Sequence, residues 1–474
     1  MFRPADAAAP RHAVSSTGLE WIETRPGLPY FVTESGAAWT PIGDNNGINW
    51  PELNGLFRRR DLAGVEAFLR HLRDSGVTVV RLMMEYAQAK HRYFERPAGR
   101  FVPAMVQLWD DLFALCERVG MRMLLTPVDT FWTWLHWDRH PWNRAHGGPL
   151  KHPSGILTCP ETRGFIKARL EFATRRWGHS GALFAWDVWN EIHPAHAGDS
   201  ADCFPEFIHD ISDHLRTVER QVHGRAHPQT VSLFGPELWW RPELPLKEPI
   251  FRHPDLDFAT IHIYREGTID DPRDTVAPAL DMGRIVQESI AEIGDNRPFF
   301  DSEHGPIHRY KDKKRQLPAP FDDEYFRHLQ WAHLAAGGAG GGMRWPNRTP
   351  HILTPGMRAA QAAMARFLPL VDWTRLRRKP LTLDLPEGIA GFGCGDGEQA
   401  VIWLVRTGER DVLGMMRAQG ERELELVVPG LDGAAEAVAF DTLAAETVGR
   451  VSSETGAFAL TMARGDLALA IRRR

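Results

Sequence analysis

The chain has 474 residues and a formal net charge of −5, enough length for one large domain plus a smaller one. Its Lys and Arg residues are scattered rather than striped, which argues against a nucleic-acid or anionic-membrane partner, and no apolar run nears the roughly 18 residues of a membrane span. Met1–Gly18, rich in Ala, Pro and Ser, reads as a flexible tail without the apolar core of a secretory signal, so the expected compartment is the cytoplasm, or outside the cell if a leader has been removed. Cys116, Cys159, Cys203 and Cys394 are widely spaced with no C-x-x-C pair, as expected of reduced thiols rather than a zinc or redox site.

In chain order, Leu19–Ala38 reads as a hairpin, and strand-like and helix-like runs then alternate. Strands are expected at Trp39–Gly43, Val77–Met83, Met121–Val128, Leu183–Val188, Val231–Phe234, Asp257–Tyr264, Pro298–Asp301 and Gly340–Trp345. Helices are expected at Asp61–Ser75, Ala104–Val119, Glu161–Trp177, Phe204–Val222, Thr275–Ile293, Asp322–Ala336 and Met357–Leu368. In the first of these, Asp61 can cap the start while Leu62, Val65, Phe68, Leu69 and Leu72 recur at helical spacing. This alternation predicts an α/β fold, a (β/α)8 TIM barrel over residues 19–374. A doubly wound sheet would call for G-x-G-x-x-G after the first strand, and Gly43-Asp44-Asn45-Asn46-Gly47 does not supply it. From about residue 375 to 474 helical runs mostly vanish and short strands recur, at Ile389–Phe392, Ala400–Val405, Glu423–Val428, Ala437–Asp441, Phe458–Met462 and Leu467–Ile471, the pattern of a small all-β sandwich.

Catalytic groups of a barrel sit at the C-terminal ends of its strands. The polar residues there are Asn45, Arg81, Asp129, the pair Asn190 and Glu191, His262 with Tyr264, Glu303, and the aromatic Trp345. Two are glutamates, on strands four and seven. Hydrolysis of a glycoside needs two carboxyls, one protonated to assist the leaving oxygen and one ionised to attack the anomeric carbon or activate water. Arg81 and Tyr264 are placed to hold Glu303 ionised, whereas Trp186, Trp189 and Ile192 give Glu191 the apolar surroundings that raise a carboxyl pKa. The 17 Trp against 6 Tyr include Trp132, Trp134, Trp137 and Trp142 in one polar stretch read as a loop. Together with Trp239 and Trp240, Trp132, Trp134 and Trp137 are candidate sugar platforms.

Several motifs resemble clan A glycoside hydrolases, above all glycoside hydrolase family 5, the cellulase and β-mannanase family. Ala185-Trp186-Asp187-Val188-Trp189-Asn190-Glu191 is similar to that family's strand-four motif, and Pro298-Phe299-Phe300-Asp301-Ser302-Glu303-His304-Gly305 to its strand-seven motif. His262-Ile263-Tyr264 resembles the strand-six His-x-Tyr, Val80-Arg81-Leu82 the strand-two Arg, and Gly340-Gly341-Gly342-Met343-Arg344-Trp345 the strand-eight segment. The resemblance, over about residues 28 to 370, implies Glu191 as acid/base, Glu303 as nucleophile, Asn190 as the ligand of the sugar 2-hydroxyl, and Trp345 as the floor of the sugar site. Two positions depart from it: Ile192 stands where proline is common, and Asp129 where many members carry histidine. The expectation is a retaining hydrolase of β-linked oligo- or polysaccharides with no cofactor and a carboxyl separation of about 5–5.5 Å. Mannose, glucose and xylose, and endo or exo action, stay open. The rival expectations are a metal-dependent barrel hydrolase using His136, His140, His146, His262 and the carboxylates, and an inactive carbohydrate-binding barrel or partner-binding scaffold.

Overall fold

The computed structural model describes residues 18–46, 52–85, 92–307, 316–348, 351–418 and 420–474. The tail expected at Met1–Gly18 therefore lies almost wholly outside the described residues. The N-terminal hairpin is a three-stranded antiparallel sheet of β1 (Ile22–Glu23), β2 (Phe31–Thr33) and β3 (Ala38–Trp39). Phe31 and Trp39 turn inward against Phe184, so the sheet packs across one end of the parallel strands that follow.

Those strands are β4 (Gly43–Asn45), β5 (Val79–Met83), β6 (Arg122–Thr126), β7 (Leu183–Asp187) and β8 (Gln229–Thr230), hydrogen-bonded in that order in one parallel sheet. Helices α1 (Leu62–Asp74), α2 (Pro103–Val119), α3 (Thr130–Leu135), α4 (Pro160–Trp177) and α5 (Phe204–His223) lie between them in the chain. Asp61 caps α1 by accepting from the Gly64 amide at 2.8 Å, and Val65, Leu69 and Leu72 form the buried stripe that the spacing predicts. Every residue of β5, β6 and β7 is buried, as in strands covered on both faces. A charged side chain in such a strand needs a partner, and Arg81 and Asp187 supply each other with one.

Beyond β8 the parallel order continues through shorter contacts. Phe234 bridges His262; β9 (His262–Ile263) pairs with β10 (Glu303–His304); and His304 bridges Arg344. Helices α6 (Glu237–Trp240), α7 (Ala277–Glu292), α8 (Ala319–Ala335) and α9 (Pro355–Phe367) complete this part. The glycine run of the expected eighth strand follows from close approach. A Cβ on Gly340 would meet the Pro41 carbonyl oxygen at 2.3 Å and one on Gly342 an Asp301 carboxyl oxygen at 2.3 Å, and both residues have positive φ.

The chain ends in an antiparallel region. β11 (Lys379–Pro380), β12 (Ile389–Gly395), β13 (Gln399–Arg406), β15 (Ala435–Asp441), β16 (Glu446–Ser453) and β18 (Asp466–Arg473) form one sheet in the order β11-β12-β13-β18-β15-β16. β14 (Arg422–Val427) pairs with β17 (Ala457–Met462) as a second, two-stranded sheet. Alternate side chains of β13 point opposite ways. Val401, Trp403 and Val405 join the core shared with the helices, while Ala400, Ile402 and Leu404 join a second core with Leu424, Leu426, Phe458 and Leu460.

Several elements differ from expectation. The first parallel strand is Gly43–Asn45 rather than Trp39–Gly43, because Trp39 is taken by the hairpin sheet. The fifth is paired at Gln229–Thr230, before Val231–Phe234. The seventh strand, expected at Pro298–Asp301, is paired at Glu303–His304, with Phe299 making a single bridge to Ala259, and the eighth, expected at Gly340–Trp345, is a single bridge at Arg344. The stretch holding Trp132 and Trp134, expected as a loop, opens with the short helix α3. Among the described residues no helix is long and apolar enough to cross a membrane.

Candidate active site

The ends of the parallel strands carry one buried hydrogen-bonded network. Arg81 on β5 has no exposed surface and points its guanidinium across the strand ends. It donates to Oε2 of Glu303 at 2.8 Å, to Oδ2 of Asp187 at 3.2 Å, and to Oδ1 of Asn190. Tyr264 donates its hydroxyl to the other Glu303 oxygen, Oε1. Nδ1 of His262 lies 2.6 Å from Oε1 of Glu191 and 3.6 Å from Oε2 of Glu303. A carboxyl oxygen of Glu191 and one of Glu303 lie within 4.8 Å of each other.

Glu191 follows β7 in the left-handed region, at φ 51°, a conformation costing a non-glycine residue about 1–2 kcal/mol. Ser232 holds it there: its Oγ accepts the Glu191 amide at 3.0 Å and its carbonyl accepts the Ile192 amide at 2.9 Å. The second bond accounts for Ile192, since proline has no N–H to give. Ser232 is in turn fixed by Asp187, whose two oxygens accept the Ser232 amide and hydroxyl, each at 2.9 Å.

Asp129, the other departure from the resemblance, caps α3 through the Trp132 amide at 2.9 Å and accepts from Nδ2 of Asn190 at 2.5 Å. Asn190 is thus held between Asp129 and Arg81 with its amide orientation fixed. Asn45 donates to the Ser302 carbonyl at 3.0 Å, beside Glu303.

The two glutamates differ in their partners. Burial, reinforced by the negative charge of Glu303, pushes the Glu191 carboxyl well above its ordinary range. Burial also raises Glu303, but the Arg81 guanidinium and the Tyr264 hydroxyl draw it back. Glu303 is therefore the more acidic of the pair. Burial pushes Asp129 up to about 7, and burial with the nearby Arg81 charge keeps His262 neutral.

Trp132, Tyr264 and Trp345 form one apolar cluster with Met83 and Tyr93, with Phe234 and Ile307 packed against it. Trp134 stands apart, 41% exposed and edge-on to His152 and His196. Trp137 is buried against His140, Trp239 lies under Arg265, and Trp240 is exposed beside Phe234. Of the four histidines in the metal expectation, only His262 reaches the glutamates. His140 is buried 4.0 Å from Glu85, His146 bonds the Asp138 carbonyl, and His136 stacks on Trp132. Among the described residues, Glu191, His262 and Glu303 are the group whose donor atoms gather closely enough to surround a cation. Those atoms are already engaged with one another, with Arg81 and with Tyr264. Sequence reasoning missed Asp187, Ser232, Thr260 and Ser302. Asp187 carried a visible signal, an acid inside an otherwise apolar strand.

Compared by sequence, the chain matches no protein-family model and no curated protein. By structure it is similar to glycoside hydrolases. One aligns at 14% identity over 96% of this chain and 97% of the other, with a TM-score of 0.60. A glycoside hydrolase of family 5 from Bacteroides vulgatus aligns at 13% identity over 98% and 95%, with a TM-score of 0.61. An exo-β-1,4-mannosidase from an Opitutaceae bacterium aligns at 18% identity over 72% and 61%, with a TM-score of 0.50. The fold is that of the glycoside hydrolases. The solved structures that share it include a family 5 member.

Proposed function

We propose that this protein is a retaining glycoside hydrolase that cleaves β-linked oligo- or polysaccharides of the mannan or glucan type through a covalent glycosyl-enzyme. The observation that carries this reading is the pair of buried carboxyls within 4.8 Å of each other, one held by Arg81 and Tyr264 and the other by a neutral histidine. Retaining enzymes hold their carboxyls about 5–5.5 Å apart, whereas inverting ones leave about 6.5–9.5 Å for a water. The short oxygen–oxygen approach favours the former.

In this scheme Glu303 attacks the anomeric carbon while Glu191 protonates the departing oxygen. Glu191, now a carboxylate, takes a proton from water, which displaces Glu303 and releases the sugar with its configuration retained. Arg81 and Tyr264 keep Glu303 ionised for the first step. Asn190, oriented by Asp129 and Arg81, meets the sugar 2-hydroxyl, a contact that gains strength as charge develops. Trp345 and Trp132 offer faces for C–H groups of the sugar. Electrons and protons balance on these residues alone, so the scheme calls for no cofactor. The similarity to an exo-β-1,4-mannosidase puts β-mannosides first among the substrates to try.

We read residues 19–374 as a (β/α)8 barrel and residues 375–474 as a β-sandwich. The parallel contacts from β4 onward, with the close approach of Gly340 to Pro41, support closure, and the second core between the two C-terminal sheets supports the sandwich.

The test is to assay wild type and Glu303→Ala against aryl β-glycosides, mannan, glucan and xylan, with the anomeric configuration of the first-formed product read by NMR. Turnover with retention, lost in the variant, is expected. Turnover surviving in Glu303→Ala would remove the nucleophile assignment, and chelator sensitivity would then bring the metal scheme forward.

A further inference from the structure

Two hydroxyls and an imidazole lie in a hydrogen-bonded row behind the Glu191 carboxyl. His262 lies on β9 opposite Glu303 in the ladder. This brings Ser302, the residue before Glu303, and Thr260, two residues before His262, to the far side of the imidazole. The Ser302 amide donates to Oγ1 of Thr260 at 3.1 Å, and the Thr260 hydroxyl donates to Oγ of Ser302 at 2.9 Å. Oγ of Ser302 lies 3.1 Å from Nε2 of His262. All three side chains are fully buried.

Hydrogen counting then gives a direction. Thr260 spends its one hydroxyl proton on Ser302. Ser302 accepts there, and its own proton is free for Nε2 of His262. A neutral imidazole whose Nε2 accepts carries its proton on Nδ1. We propose that the hydroxyls of Thr260 and Ser302 form an ordered relay that holds His262 as the Nδ1–H tautomer, so that His262 donates to Oε1 of Glu191 and the acid proton of Glu191 resides on Oε2.

The inference rests on the acid/base assignment of Glu191 and adds positioning residues to it. A proton on Oε1 would face the Nδ1–H directly, so only Oε2 can carry it toward a glycosidic oxygen. When Glu191 is ionised, in the second step, the same Nδ1–H becomes a charge-assisted donor. The relay thus favours the carboxylate. It opposes the groups that favour the acid form: Glu303 on β10, Asp129 beyond β6 and Asp187 on β7. Arg81 on β5 acts in the same sense as the relay.

The full-length wild-type protein, labelled with 15N-histidine, gives the direct readout in a long-range 1H–15N correlation, with His262 identified by its absence in His262→Gln. A protonated Nδ1 and an unprotonated Nε2 are expected. In Ser302→Ala the tautomer moves toward Nε2–H, and Nδ1 then accepts from protonated Glu191. The alkaline limb of the kcat/KM pH profile moves up by about one unit, and Ser302→Thr restores both properties. A wild-type His262 protonated at Nε2 overturns the relay. So does a Ser302→Ala variant with tautomer and pH limb unchanged. If Ser302→Ala does not fold, the wild-type spectrum decides alone. The tautomer needs no turnover to be read, so an Nδ1–H signal in a protein that hydrolyses no glycoside sinks the proposed function and leaves the relay standing.

Discussion

Glu191 and Asp466 are both nearly withdrawn from water, one beyond the end of a parallel strand and the other at the start of β18, where the antiparallel sheet meets α8. Asp466 accepts from the Trp403 indole at 3.1 Å and from the Thr442 hydroxyl, and lies 3.4 Å from the Arg327 guanidinium and 3.8 Å from His328. Burial would raise its pKa, but Arg327 and the hydrogen bonds outweigh burial and hold it far below the ordinary carboxylate range. Glu191 keeps one donor, His262, and faces the negative charge of Glu303, so its pKa goes up. Equal burial therefore yields opposite acidities, and the partners decide which. At Asp466 the cation and the hydrogen bonds win; at Glu191 the Arg81 charge is outweighed by burial and by the charge of Glu303.

The contrast breaks most visibly at Glu303, the acidic member of the site. Glu303→Ala is expected to reduce kcat for β-glycoside hydrolysis by several powers of ten, with sugar release as the measure. Glu191→Gln is expected to cost about 10²–10⁴-fold on substrates with poor leaving groups. The loss should be much smaller in the first step on dinitrophenyl glycosides, whose departure needs no acid, and burst kinetics separates the two steps. Equal losses on both substrate classes would argue against the acid role.

The same contrast predicts opposite stability effects. The folded pKa of Asp466 is depressed, so its stabilisation is fully present above its unfolded value, near 3.9, and is lost as pH falls through the folded pKa. Asp466→Asn leaves Arg327 with the more distant Glu324 carboxylate, at 3.9 Å, and should lower unfolding stability at neutral pH by at most about 3–5 kcal/mol, read by denaturant titration. The folded pKa of Glu191 is raised, so its contribution is favourable below its unfolded value, near 4.3, and is lost as pH rises through the folded pKa. Glu191→Gln should therefore stabilise the fold at and above neutral pH, by roughly 0.5–2 kcal/mol, with little change near pH 4. A destabilised Glu191→Gln at pH 8 would contradict the raised pKa.

The sequence exposes one side of this contrast better than the other. Glu191, Glu303, Arg81 and Tyr264 stand at strand ends in recognisable motifs, and the structure brings all four together. The residues behind them were not legible because their roles arise from adjacency between strands. Ser232 acts on Glu191 from 41 residues away and Ser302 on His262 from 40. Asp466 stands just before the strand expected at Leu467–Ile471, and nothing along the chain tied it to Arg327. β16 went unseen because most of its side chains are exposed and Gly449 breaks its pattern, so it has no apolar rhythm to read. The helix after Asp129 was hidden by the His and Pro around it, although Asp129 itself was a fair capping signal.

β13 lends one row of side chains to the helices and the other to the second sheet. Gly283 on α7 extends the same contact: a Cβ there would come within 2.2 Å of the Phe392 ring on β12. Phe440 on β15 packs against both Trp331 and Phe367. The helices and the sheet thus share one cooperative unit with no seam between them. Heating should melt the end that carries the paired glutamates and the antiparallel end in a single calorimetric transition, and damage to the antiparallel end should disturb the glutamate network as well.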